Sequence, residues 1–321
     1  MIHIMVTQTS GGRTGHKMKD YLTAYCLHYM FGWRIMYNDT WYNPKQTDHN
    51  NHSNMFNIID TSLSSRVKTE IPIIEYTHTS WTGMSKERLL KLKDFAEAKE
   101  KENNGNVIIE LKKATRVLPN QLYNWGNVYK YNELTKHLRK LYYSNRNNKL
   151  QKSFDKKTNF NITVHIRKGD VYNKIRGGYD HSDISYYRNI IKALSSMIKT
   201  PHTFHIISEK WPGYDEKDVK ELKNLDLSPL SRIDIYMETC LYEYMTEYIE
   251  SDILVVANGQ GSFSDLAMLY SKASSQIFLC EKYRQFKFRD NMQGKFVFCD
   301  EYGTFNTSSV HLNEKIENIF K

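Results

Sequence analysis

Apolar residues in this chain fall into short continuous runs, set apart by stretches in which they recur at helical spacing. The pattern is clearest in the C-terminal half. Runs at 160–166, 204–208, 233–237, 253–256 and 277–280 predict strands, and the segments 185–198, 215–224, 241–250 and 263–272 between them predict helices. Continuous apolar strands alternating with amphipathic helices predict a parallel sheet covered on both faces. The N-terminal half is less regular. Strands are expected at 2–7, 34–37, 73–76 and 107–111, with helices over 85–101 and 134–143. Met18, Tyr21, Leu22, Tyr25, Cys26 and Tyr29 share the face of a further helix, which follows a polar, glycine-containing loop at 8–15.

Two polar stretches divide this pattern. Residues 43–54 read as a surface loop, and 145–158, basic and nearly free of apolar residues, as a linker. A chain of 321 residues exceeds what one hydrophobic core ordinarily holds. We therefore expect an α/β protein with an N-terminal domain at 1–155 and a C-terminal domain at 156–300. The tail at 301–321 is expected to pack back on the N-terminal domain. Ligands of parallel sheets collect at the carboxyl ends of the strands, so functional residues should come just after each strand.

Composition narrows the class only slightly. With 40% apolar and 25% charged residues the chain is of ordinary globular type. A net charge of +9 favours anionic partners, and nucleic acid, anionic lipid and nucleotide phosphates all fit, as does a solvated lysine-rich surface. Cys26, Cys240, Cys280 and Cys299 have no CxxC spacing and read as buried thiols in a reducing compartment. No stretch approaches the roughly 18 to 20 apolar residues of a membrane span. The first seven residues, MIHIMVT, read as a strand rather than a leader. Asn-x-Ser/Thr sequons stand at Asn38, Asn51, Asn161 and Asn306; Asn161 leads into an apolar strand, and the matches are read as accidental. The cytosol is the expected location.

The strongest chemical signal is the run Thr163-Val164-His165-Ile166-Arg167-Lys168-Gly169-Asp170, where a strand passes directly into His-x-Arg-x-Gly-Asp. Strand alternation puts His165 and Arg167 on one face. A guanidinium at a strand end can hold phosphate oxygens through two parallel charge-assisted bonds, and Gly169 lets backbone approach a ligand. An Arg167–Asp170 ion pair closing the loop fits the same residues. A second signal follows the strand at 253–256, in Gly259-Gln260-Gly261-Ser262-Phe263-Ser264. The unpaired N–H groups of a helix start there would make an anion site, and a plain serine cap is the alternative.

HIRKGD resembles the His-x-Arg-x-Gly-Asp motif of the α-1,2-fucosyltransferases, within the group that includes α-1,6- and protein O-fucosyltransferases. Gly11-Gly12-Arg13-Thr14-Gly15-His16 stands where that family has a Gly-Gly-x-Gly-Asn-Gln-Met loop, and Gly261-Ser262-Phe263-Ser264 resembles its Ser-Ser-Phe-Ser segment before a helix. This chain has Arg13-Thr14 where the loop pattern has one residue, and it lacks the tryptophans common after the serine segment.

The resemblance implies a GT-B architecture, two Rossmann-like domains with parallel sheets facing a central cleft. The N-terminal domain would take the glycan acceptor and the C-terminal one the donor, GDP-L-fucose. It implies inverting transfer with no required metal or cofactor, α-1,2 linkage being the first expectation. By position, Arg167 would hold the β-phosphate and stabilise the leaving diphosphate, and His165 would stand near the nucleotide. Gly169, Gly261, Ser262, Phe263 and Ser264 would line the diphosphate, while Gly11, Gly12, Gly15 and His16 would form the N-terminal loop. In the wider group an acidic residue ends the strand that here ends Ser208-Glu209; both residues would stand at the donor, where Glu209 would accept from guanine or else cap a helix.

Two features bear on mechanism. The sequence contains no Asp-x-Asp triplet, so a metal-bridged diphosphate has no obvious ligands, and His49 with His52 reads as part of a solvated loop. A base must take the acceptor proton; Asp170 and Asp180 are the candidates chosen, with His181 and Asp183 also nearby, the last placed to cap a helix. Two other functions remain open. One is a transferase using another nucleotide-sugar. The other is a basic nucleic-acid-binding protein, for which lysines at 91–101 and 136–152 and tyrosines at 123–143 would supply charge and stacking. Core packing of those aromatics is the commoner arrangement, and no nucleic-acid partner is expected.

Overall fold

The computed structural model describes residues 1–6, 14–37, 64–66, 70–77, 84–112, 119–145, 160–166, 183–209, 217–238, 244–256, 268–271, 274–281 and 296–313. It divides into two compact units, Met1–Arg146 and Asn147–Lys321. Each is an α/β unit built on a parallel sheet.

The N-terminal unit holds strands β1 (Ile2–Val6), β2 (Arg34–Tyr37), β3 (Ser64–Arg66), β4 (Ile73–Thr77) and β5 (Val107–Lys112) in the order β3-β2-β1-β5-β4. Every pair is parallel. Helix α1 (Thr14–Phe31) packs on β1 and β2, and α2 (Lys86–Glu102) on β1 and β5. Leu89, Leu92 and Ala96 form the buried stripe of α2. Ser85 caps it by accepting from the Arg88 N–H (3.3 Å). Lys99 and Lys101 lie in its last turn, where they complement the helix dipole. Helices α3 (Pro119–Asn124) and α4 (Val128–Asn145) contact each other and α1. Tyr131, Leu134, Leu138 and Tyr142 bury the inward side of α4.

The C-terminal unit carries the larger sheet: β6 (Phe160–Ile166), β7 (His202–Glu209), β8 (Ser231–Glu238), β9 (Ile253–Val256), β10 (Gln276–Cys280) and β11 (Phe296–Cys299), in the order β11-β10-β9-β6-β7-β8. All its neighbours are parallel. Phe160, Ile162, Val164 and Ile166 point to one face of β6, where Tyr186, Ile190 and Leu194 of α5 (Ile184–Met197) complete the main core. Asn161, Thr163 and His165 point to the other face, toward α7 (Met245–Glu250), and the short α6 (Lys217–Glu221) lies between β7 and β8 in sequence. The tail at 301–313 belongs to this same unit, Phe305, Val310 and Leu312 joining its core. Residues 314–321 lie outside those described.

The second face of β6 is polar yet buried. The His205 Nε2 donates to Asn161 Oδ1 (2.9 Å), and the His205 ring stacks on Tyr236. Asn161 is therefore enclosed, with its side-chain oxygen occupied, and its sequon is buried. His202 holds the Ser231 hydroxyl (2.7 Å) and the Thr200 carbonyl (2.8 Å). Cys26, Cys280 and Cys299 are buried free thiols, and burial pushes Cys299 up to about 12. Cys240 lies outside the described residues. No helix among the described residues is long and apolar enough to cross a membrane.

Two stability predictions follow from these contacts. Burial pulls His205 down from 6.5 to about 4, with Asp234 opposing, and lowers His202 as well. The unfolded chain takes up a proton at His205 near pH 6.5 and the folded chain only near pH 4. Stability is thus full above about pH 6.5 and falls as pH drops, by roughly 2 kcal/mol at pH 5. Urea denaturation at pH 7 and pH 5 should show that loss, and His205→Gln should reduce it. Separately, Gly303 sits at φ 82°, and a Cβ there would run into the Tyr186 carbonyl oxygen. Gly303→Ala should therefore lower the melting temperature by several degrees, about 1 kcal/mol or more.

Candidate functional site at the carboxyl edge of the six-stranded sheet

Strand order locates the site. From β6 the chain builds outward through β7 and β8, then returns to the other side of β6 to lay down β9, β10 and β11. Counted within the unit this is the order 3-2-1-4-5-6 of doubly wound dinucleotide-binding sheets, and ligands of such sheets bind where the order reverses. Here that point falls between β6 and β9, which pair directly with His165 opposite Val256. The residues after β6 begin with Arg167, and those after β9 with Ala257. Both sequence signals thus start from adjacent strand ends at one switch point.

The ends of the two strands are held by buried hydroxyls. Ser208, with no exposed surface, donates to the Ile166 carbonyl (2.8 Å), its partner across the β6–β7 ladder. The Tyr186 hydroxyl approaches the Val256 carbonyl at 3.4 Å, a longer and weaker contact. His165 is buried just before the end of β6, its ring edge-on to Tyr248 at 5.1 Å. One residue pair further back, the Thr163 hydroxyl donates to the Glu247 carbonyl (3.0 Å). These contacts tie α7 to the underside of the strand that delivers HIRKGD.

The expected site residues divide accordingly. His165 and Ser208 stand at the switch point, but both are enclosed, and the hydroxyl of Ser208 is committed to Ile166. Glu209 is the last residue of β7, opposite Glu238. Arg167, Gly169, Asp170, Asp180, Gly261, Ser262, Phe263 and Ser264 lie outside the described residues, as do Gly11 and Gly12. Gly15 and His16 belong to the first turn of α1 instead of a loop, the helix starting at Thr14. His49 and His52 also lie outside. Among the described residues no group of three His, Cys, Asp or Glu side chains could hold a metal ion.

Asp183 accepts from the Ser185 N–H (2.8 Å) and caps α5. The lysine-rich segment is a solvated helix face: Lys91 pairs with Glu87 (2.7 Å), Lys93 with Glu97 (3.2 Å) and Lys99 with Glu102 (2.6 Å). Tyr131 and Tyr142 are in the core and Tyr129 is exposed. Among the described residues, the paired lysines of α2 fit a solvated helix face, and the buried Tyr131 and Tyr142 fit core packing. Sequence reasoning missed the role of Tyr186, because nothing local marks a tyrosine in an amphipathic helix as the neighbour of a strand end 70 residues away. No protein-family model matches the chain, and no curated protein matches it.

The cap assigned to Asp183 separates it from the acid–base candidates. Asp183→Ala should cost about 1 kcal/mol in urea denaturation, while Asp183→Ser should restore most of that stability. Catalytic use of Asp183 would instead leave both variants inactive at full stability.

Proposed function

We propose that the chain is a glycosyltransferase of GT-B architecture that moves fucose from GDP-L-fucose to a glycan hydroxyl, with inversion and without a required metal. One observation carries this reading: HIRKGD and GQGSFS leave adjacent parallel strands at the switch point of a sheet with dinucleotide-binding order. The resemblance of these two segments to the α-1,2-fucosyltransferases supplies the donor and the linkage. The cytosol remains the proposed location.

In the proposed reaction the acceptor oxygen attacks the anomeric carbon from the face opposite the diphosphate. The bond from that carbon to the β-phosphate oxygen breaks, and its electron pair leaves with GDP. The Arg167 guanidinium and the N–H groups around Ser262–Ser264 take up the developing charge. Each such contact supplies roughly 1.5–3 kcal/mol, so two or three give a rate factor on the order of a thousand. The acceptor proton passes to a carboxylate, for which Asp170 and Asp180 are the proposed bases. Glu209, at the end of β7 two strands from β9, would accept from the guanine N1 and N2 hydrogens.

Calorimetric titration of GDP, UDP and CMP in metal-free buffer tests the donor, with GDP expected to bind tightest. Preference for UDP or CMP would reassign the donor while keeping the nucleotide site. Arg167→Ala should abolish transfer and weaken GDP binding at least tenfold with the melting temperature unchanged. Undiminished GDP affinity in that variant would remove Arg167 from its role.

A further inference from the structure

Ser208 is the last residue of β7 whose ladder partner belongs to β6, and that partner is Ile166. Its side chain lies on the α5 face with Phe204 and Ile206, fully enclosed, and its hydroxyl donates to the Ile166 carbonyl (2.8 Å). That oxygen belongs to the peptide unit joining Ile166 to Arg167. Peptide planarity ties the oxygen rigidly to the next nitrogen and α-carbon. A hydroxyl that fixes the oxygen therefore fixes the direction in which the chain leaves the sheet. Ile166 forms the last register pair of the β6–β7 ladder, and no further pair beyond it holds the chain.

We infer that Ser208 is a positioning residue for the anion site: it touches no nucleotide, and it aims the Arg167 backbone by holding the Ile166–Arg167 peptide plane. The inference rests on the proposed nucleotide-binding role of the loop after β6. It gives Ser208 a job different from the direct donor contact its sequence position suggests. Displacements of about 1 Å in a binding group are enough to cost orders of magnitude in activity, so a single buried hydroxyl at this point has leverage on function beyond its share of stability.

The sheet contains a matched control. Thr163 is also fully enclosed, on the opposite face of the neighbouring strand β6, and also donates its hydroxyl to a backbone carbonyl, that of Glu247 (3.0 Å). It stands away from the carboxyl end. Ser208→Ala and Thr163→Val each remove one buried hydroxyl bond with little change of shape, so both should lower the melting temperature by comparable amounts.

The two variants and the wild-type chain are titrated with GDP, UDP and CMP at a temperature where all three proteins are fully folded. The expected result is that Ser208→Ala binds the preferred nucleotide about tenfold more weakly, while Thr163→Val binds it within about twofold of wild type. Wild-type affinity in Ser208→Ala overturns the inference and leaves the nucleotide site standing. An equal loss in both variants also overturns it, since general loosening of the sheet then accounts for the effect. A wild-type chain that binds none of the three nucleotides overturns the nucleotide reading and the inference with it.

Discussion

The parallel pairing of β6 with β9 is the constraint on which the C-terminal unit depends. These strands are separated in sequence by β7, β8 and the helices that cover them, yet they lie side by side at the middle of the sheet. Their apolar side chains fill the α5 face, and no shift in register is available without moving Val164 and Val255 out of the core. Everything placed at the carboxyl edge inherits that register. The chain can carry unusual residues just past Ile166 and Val256 because the strands beneath are fixed by packing that those residues do not share.

The sheet's two faces do different work. One is mainly apolar, from Phe160 to Cys299, and supplies most of the cohesion. The other places Asn161, Thr163, His165 and His205 under α7, and these groups are enclosed in hydrogen bonds and ring contacts. Buried polar contacts of this sort add little net stability, but each has a narrow geometry. They set where α7 sits, and α7 leads within two residues into β9. Polar contacts thus seat α7 on its face of the sheet, while the apolar face supplies the cohesion.

Much of this architecture is legible in the sequence. β6, apolar at every second position, and β9, an uninterrupted apolar run, have the bounds their sequences predict, while β7 and β8 extend past their apolar centres to His202 and Ser231, whose polarity hides the strand start. β3, Ser-Ser-Arg, has no apolar residue, and only its pairing with β2 makes it a strand. β11 is a four-residue run that no helix pattern announces. Gly15 suggests a loop, but α1 begins one residue before it. For the site, the sequence places its two segments directly after strands. It cannot reveal that those strands are neighbours, nor that Ser208 and Tyr186 reach their ends across 42 and 70 residues, because such contacts arise only when the sheet closes.

β11 ends the sheet, and a terminal strand ordinarily presents a row of unpaired backbone groups to any other chain that meets it. Here the chain turns back at once. The Asp300 carboxylate accepts from the Tyr302 and Thr304 N–H groups (2.9 and 2.7 Å), Gly303 supplies the left-handed residue, and Phe305 bridges antiparallel to Cys299. This small hook occupies the outer side of β11 at its carboxyl end. It denies that end to strand-by-strand growth between molecules, a safeguard against fibrils at this margin of the sheet.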